Sequence, residues 1–167
     1  MNNFKVIDNF LNDDDLNNVK DNLFDAPLYF QPTVAGMNDS NRYWDYYFSY
    51  SIYKNNKPQS KIFNNIYNIF IPKFQKYGTI KSLLRIKLNF YPYTETLKEH
   101  GQHVDYDFPC YGAVFSLNTC DGFTRLDDGT KIDSVENRIL FFDPSLKHNS
   151  TTTTNSSARW NINFNFL

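Results

Sequence analysis

The sequence predicts a mainly β protein with flanking helices, a β-sandwich or jelly roll buttressed by helices. Three observations predict it. Two segments with helical spacing occupy the first half of the chain, and from about Ile80 onward short stretches rich in Val, Ile, Tyr and Phe follow one another. The pairs Asp121-Gly122 and Asp128-Gly129 then punctuate that run as hairpin turns.

Taken in order, Phe4 to Asp8 reads as a short strand, and Asn12 or Asp13 caps a helix from about Asp13 to Phe24. Asp14 and Asp15 sit favourably against the N-terminal dipole. This acidic cluster lacks the glycine and terminal glutamate of an EF-hand, so it reads as capping rather than calcium binding. Arg42 to Tyr53, crowded with Tyr, Phe and Trp, reads as strand material that serves either as a sheet packed on a helix or as the lining of a binding mouth. A second helix is expected from Gln59 to about Gln75, where Ile62, Phe63, Ile66, Ile69 and Phe70 recur near helical spacing, with Pro72 bending or ending it. Strands are then expected at Ile80 to Tyr91, His103 to Asp105, Tyr111 to Asn118, a stretch through Thr124, Ile139 to Phe142, and Arg159 to Phe166. Ser150 to Ser157 reads as a polar loop, and no internal repeat is visible.

With 167 residues, 41% of them hydrophobic, and a net charge of −1, the chain has the size of one ordinary domain spanning residues 1–167. Near-neutral charge provides no long-range attraction for nucleic acid or an anionic membrane. No apolar run approaches the roughly 20 residues needed to span a bilayer, and Met1 to Lys5 lacks the apolar segment of a secretion signal. These features together imply a cytoplasmic protein. Cys110 and Cys120 are too few for a disulfide framework and read as reduced, partly buried thiols. In that compartment the glycosylation sequons at Asn38, Asn149 and Asn155 are accidents of an Asn-rich chain. The Asn-rich, Lys-over-Arg composition suits an AT-rich genome, including a viral one.

The chemistry concentrates in His103-Val104-Asp105, His148 and Arg159. On a strand His103 and Asp105 share a face while Val104 packs on the other, so one strand offers two ligands to one metal ion. His148 follows a strand-to-loop corner, Arg138 to Pro144, that can return a third. Two imidazoles and a carboxylate on one face of an octahedral metal leave three positions open, the arrangement of non-haem Fe(II) oxygenases. Of the three histidines, His100 is left over as an expected loop residue, a ligand only if it takes the place of His103. Arg159 opens a strand in which Arg159, Asn161, Asn163 and Asn165 alternate with Trp160, Ile162, Phe164 and Phe166. A cation on that polar face can hold a dicarboxylate near the metal. Arg85 and Lys87 share the strand face of Tyr91, but charges at the start of a strand are expected to be solvated.

On Arg85 to Pro92, His103 to Asp105, Phe115 to Asn118, Phe141 to Asp143 with His148, and Arg159, the chain resembles the Fe(II)- and 2-oxoglutarate-dependent oxygenases. The likeness is to their prolyl-hydroxylase-like branch, including small bacterial and phage enzymes. The resemblance implies a double-stranded β-helix (jelly-roll) core whose mouth holds Fe(II) through His103, Asp105 and His148. It also implies that Arg159 pairs with the distal carboxylate of 2-oxoglutarate and that Tyr91 matches a cosubstrate-bonding tyrosine. Ser116 stands where many relatives carry another carboxylate-binding tyrosine, so either Ser116 makes a shorter or water-mediated contact there or Tyr91 and Arg159 suffice. The implied reaction consumes O2 and 2-oxoglutarate, releases succinate and carbon dioxide, and oxidises a C–H bond of a peptide, protein or small-molecule substrate. Peptidyl proline leads by analogy. Asp105 favours hydroxylation over halogenation, because halogenating relatives carry a small residue at that position.

Two other classes compete. A non-catalytic jelly-roll binding or structural module would leave His103 and His148 far apart. A cupin-like metalloenzyme that does not use 2-oxoglutarate would keep the fold with other ligands, and its usual His-x-His pairing is absent.

Overall fold

A computed structural model describes residues 4–36 and 42–167. The described elements run β1 (Phe4–Ile7), α1 (Asp13–Phe24), β2 (Tyr29–Gln31), β3 (Tyr47–Lys54), β4 (Lys57–Pro58), α2 (Phe63–Phe74), β5 (Leu83–Pro92), β6 (Tyr111–Ser116), β7 (Phe123–Arg125), β8 (Lys131–Asp133), β9 (Ile139–Phe142) and β10 (Ala158–Phe166). A large antiparallel sheet takes the order β1-β9-β6-β10-β5-β3-β2, with β4 added beside β3. Facing it is a smaller sheet. The β7-β8 hairpin turns at Gly129, whose φ of +86° suits a glycine. Isolated pairings of Arg125 with Asn149, Glu99 with Thr151 and His103 with His148 extend that layer.

The two-residue period of the strands decides which residues meet which layer. Ile162 and Phe164 of β10, Ile86 and Leu88 of β5, and Ala113 and Phe115 of β6 point to the helical side, where they are fully buried. Leu16, Val19 and Leu23 of α1 and Ile66, Phe70, Ile71 and Phe74 of α2 complete that core. Phe70 lies 5.0 Å from Phe115 and 4.8 Å from Phe164 between ring centres, so one helical side chain keys into two strands. The opposite face of β5 and β10 is polar. Tyr91 pairs with Arg159, Asn89 with Asn161, Lys87 with Asn163, and Arg85 with Asn165. This polar face lies under the smaller sheet, where Asn165 meets Asp105 and Arg159 meets Thr124.

Several local expectations hold. Asn12 caps α1, its Oδ1 accepting from the Asp15 amide at 2.8 Å, and Cys110 and Cys120 are free, buried thiols. Others need correction. The second helix begins at Phe63 rather than Gln59, because Asn55 and Asn56, both at positive φ, turn the chain so that β4 pairs back on β3 and the Gln59 amide bonds to Ile52. Pro72 does not stop α2 at once. It sits in the last turn, where the missing N–H costs one bond, and the helix closes after Phe74. The strand at Arg42–Tyr53 starts only at Tyr47. Asp121-Gly122 is not a hairpin turn: Asp121 accepts from Thr153 Oγ1, the Thr154 amide and Thr154 Oγ1, tying that corner to the neighbouring segment. The expected polar loop at Ser150–Ser157 is largely interior, with Thr151, Thr152 and Thr153 fully buried. Of the sequons, Asn149 is buried and Asn38 lies outside the described residues.

Asn137 clamps the N-terminal segment onto this sandwich. At φ +62° it presents its side chain to both the amide and the carbonyl of Leu11, each at 2.8 Å. Asn137→Ala should strand two buried backbone groups and cost about 2–4 kcal/mol. That corresponds to a thermal midpoint lower by roughly 4–16 °C in a chain of this size. A midpoint within a degree of wild type would refute the clamp.

Candidate metal centre and anion pocket

His103 and His148 pair backbone to backbone, the amide of each donating to the carbonyl of the other at 2.9 Å. The pairing sets their rings 4.6 Å apart, contrary to what a binding module without a metal would require. Asp105 is placed by its amide bond to the Pro144 carbonyl at 2.8 Å, so the corner after β9 positions both halves of the cluster. One potential ligand atom from each of His103, Asp105 and His148 lies within 4.8 Å of the others. The Nδ1 atoms of His103 and His148 face the carbonyls of Gly101 (3.4 Å) and Leu146 (3.0 Å). That contact keeps the proton on Nδ1 and leaves each Nε2 lone pair for a metal. Burial, with the neighbouring His148, pulls the His103 pKa down to about 4, so its imidazole is neutral at pH 7. Val104 does not pack on the far side as expected but faces outward, 42% exposed, because no layer covers the outer face of the smaller sheet there.

Asp105 has partners that the sequence reading missed. Arg85 Nη2 lies 2.7 Å from Oδ1, and the side-chain amides of Asn165 and Asn163 donate to Oδ2 at 2.9 and 3.4 Å. Burial works to raise the Asp105 pKa, but Arg85, then His148, outweigh it and hold the carboxyl well below its usual range. Each carboxylate oxygen has two lone pairs, so these contacts leave acceptor capacity for a metal. The expectation that Arg85 and Lys87 are solvated is wrong. Arg85 is paired with Asp105 and Lys87 is bonded to Tyr47 on the polar face between the two sheets, called the chamber below, because the smaller sheet covers the strand face that a single-sheet reading would leave to water.

A second feature lies toward the other end of β10. Arg159 is 1% exposed, and its Nη2 donates to Thr124 Oγ1 at 2.8 Å. Its Nε and Nη1 have no hydrogen-bond partner among the described residues. Burial lowers its pKa, yet a group this basic stays charged. The guanidinium lies 5.6 Å from the centre of the Tyr91 ring, which stacks on Tyr47 at 5.5 Å. His100 lies in a loop, as expected, but is a buried member of this group. Its Nδ1 meets Ser150 Oγ at 2.9 Å, its ring lies 5.3 Å from Tyr91, and its Nε2 has no partner among the described residues. Burial first, then the Arg159 charge, lowers its pKa to about 3, so it too is neutral. Ser116 lies on the same sheet face, opposite Asn161, with its hydroxyl 3.4 Å from that of Ser134. The alternation of Arg85, Lys87, Asn89 and Tyr91 was the available signal for a polar interior.

Gly122 makes room for Arg159. A Cβ there would lie 2.7 Å from Arg159 Cδ and 2.8 Å from the Thr152 carbonyl oxygen. Gly122→Ala should therefore cost about 1–3 kcal/mol by overpacking and displace the guanidinium. Thermal denaturation checks it, and an unchanged midpoint would mean that the wall yields.

No family model matches the chain, and neither does any curated protein sequence. Solved structures do match. A 2OG-Fe(II) oxygenase family oxidoreductase from Burkholderia pseudomallei aligns with a TM-score of 0.70 at 13% identity, covering 98% of this chain and 84% of that one. A Trichoplax adhaerens prolyl hydroxylase, solved with a peptide fragment of hypoxia inducible factor, aligns at 0.67 and 15%, covering 100% and 84%. A collagen prolyl hydroxylase from Paramecium bursaria Chlorella virus-1, solved with 2OG, aligns at 0.65 and 13%, covering 98% and 95%. The fold is therefore the jelly roll of the 2-oxoglutarate–iron oxygenases. Prolyl hydroxylases are among the structures that share it across nearly their whole length.

Proposed function

We propose that residues 1–167 form one Fe(II)- and 2-oxoglutarate-dependent dioxygenase domain that acts as a hydroxylase. Arg159 carries this reading. A buried guanidinium with two unpaired nitrogens forfeits several kcal/mol of solvation, in a molecule whose whole net stability is on the order of 5–15 kcal/mol. An anion that enters the chamber offsets that cost. The arrangement fits 2-oxoglutarate, whose distal carboxylate would meet Arg159, held by Thr124 and flanked by Tyr91. Ser116 is the nearby hydroxyl for a water-mediated contact. His103, Asp105 and His148 would hold Fe(II), the neutral His103 imidazole and the ionised Asp105 carboxyl being ligand forms the metal needs. When bound, iron, 2-oxoglutarate and O2 together supply the oxidation of a C–H bond, with succinate and carbon dioxide as co-products.

The chain's own residues do the rest. Arg85, Asn163 and Asn165 keep Asp105 ionised and aimed, the Gly101 and Leu146 carbonyls fix the histidine tautomers, and the buried threonines 151–153 close the wall. Asp105 fills the position that a halide would need, which supports hydroxylation. The prolyl hydroxylases among the structural neighbours make peptidyl proline the first substrate class to assay, and Tyr47 stacked on Tyr91 offers a flat apolar surface beside it.

The test is turnover without substrate. Given Fe(II), ascorbate and oxygen, the protein should convert 2-oxoglutarate slowly to succinate. Failure both to bind 2-oxoglutarate and to form succinate would overturn the reading in favour of a binding module.

A further inference from the structure

Lys87 is not used by the chemistry above. It projects from β5 onto the chamber face, between Arg85 beside Asp105 and Tyr91 beside Arg159. Its Nζ donates to Tyr47 Oη at 3.2 Å, and among the described residues no carboxylate lies within 4.0 Å of it. The contrast with Arg85, two residues away on the same face, is direct: one chamber cation has its acid and the other does not. Asp105, whose charge is felt at Lys87, is already engaged by Arg85 and Asn165. Burial, with the repulsion of Arg85, pulls the Lys87 pKa down to about 7, as befits an ammonium without a local counter-ion.

Charge bookkeeping extends the point. Asp105 balances Arg85, and a 2-oxoglutarate dianion balances Arg159 and part of the iron charge, so the occupied chamber stays net positive with Lys87 facing it. We propose that the substrate of this site carries a carboxylate, and that Lys87 receives it as the specificity-determining contact. The proposal rests on the iron and 2-oxoglutarate reading. Lys87 shares the polar face of β5 with Arg85, whose guanidinium holds Asp105, so an anion held at Lys87 lies on the same sheet face as the metal cluster. A prolyl substrate meets the condition as the free amino acid or at a peptide C-terminus, where a carboxylate is adjacent to the ring; an internal prolyl residue brings none. Tyr47, joined to Lys87 and stacked on Tyr91, would hold the ammonium in place.

The experiment uses protein loaded with Fe(II) and 2-oxoglutarate without oxygen, probed by fluorine NMR with fluoroacetate and, as an uncharged analogue of similar size, fluoroacetamide. Fluoroacetate should bind the wild type and the amide should not. Lys87→Met should weaken fluoroacetate binding by about tenfold to more than a hundredfold, the scale of one lost charge-assisted bond, and Lys87→Arg should retain most of it. Affinities for Fe(II) and 2-oxoglutarate in Lys87→Met should stay within about threefold of wild type. Its thermal midpoint should be equal or higher, because a cation without a counter-ion has left the chamber wall. The proposal is overturned if fluoroacetate fails to bind the loaded wild type, if the amide binds as well, or if Lys87→Met binds fluoroacetate unchanged. A tenfold loss of 2-oxoglutarate affinity in Lys87→Met would also overturn it, by assigning Lys87 to the cosubstrate. Wild-type protein that takes up neither iron nor 2-oxoglutarate would fail at the loading step, which separates collapse of the underlying reading from collapse of this one.

Discussion

Fe(II) binding should disappear in the His103→Ala, His148→Ala double variant, and succinate formation with it. These side chains supply two of the three ligand atoms that lie within 4.8 Å of one another. Losing only a hydrogen bond behind a metal ligand typically costs 10–100-fold in affinity or activity, so losing two ligands should exceed that range. The fold should survive, because the pairing that joins the two segments runs through the His103 and His148 backbones, which the substitutions keep. Asp105→Ala is a poorer test. It would leave Arg85 without its acid in the chamber, and breaking a buried pair from one side costs about 3–5 kcal/mol on its own. Metal stoichiometry measured on the folded double variant decides the matter: one equivalent of Fe(II) still bound would remove the assignment.

Arg159→Ala should weaken 2-oxoglutarate binding by about tenfold to more than a hundredfold while Fe(II) affinity stays near wild type. A guanidinium makes two parallel charge-assisted bonds to a carboxylate, and a lost bond to a charged group costs about 1.5–3 kcal/mol against about 1.4 kcal/mol per tenfold in affinity. Nε and Nη1 are the nitrogens left without partners, whereas Nη2 is held by Thr124, so the donors that the ligand needs are already oriented. Lys at this position should restore part of the affinity through its charge but not the bidentate geometry. Anaerobic titration of 2-oxoglutarate into the iron-loaded variants reads the effect. Unchanged affinity in Arg159→Ala would reject the anchor, and Lys87 would become the next cation to test.

Much of this site was legible in the one-dimensional pattern. The two-residue period of a strand separates Arg159, Asn161, Asn163 and Asn165 from Trp160, Ile162, Phe164 and Phe166, and the structure keeps that division along β10. The spacing His103-x-Asp105 and the corner leading to His148 likewise anticipated a cluster that the fold assembles. The weaker readings involved what covers each face. Arg85 and Lys87 were expected in solvent, Val104 against a core and Ser150–Ser157 in the open. The structure puts the first two on the polar face between the sheets, Val104 outside and Thr151–Thr153 fully inside.

The sequence alone determined which side chains share a face, that α1 begins at a cap at Asn12 or Asp13, and which residue types are present that could bind a metal and an anion, because periodicity and capping act over a few neighbouring residues. The tertiary structure alone decided that the polar face of β5 and β10 is an interior, that Arg85 rather than water faces Asp105, and that Arg159 keeps two donors unpaired. Those facts follow from a second sheet, assembled from segments far apart in the chain, closing over the first. Whether a face that alternation marks as polar meets water or another sheet is a non-local property that no window of neighbouring residues contains.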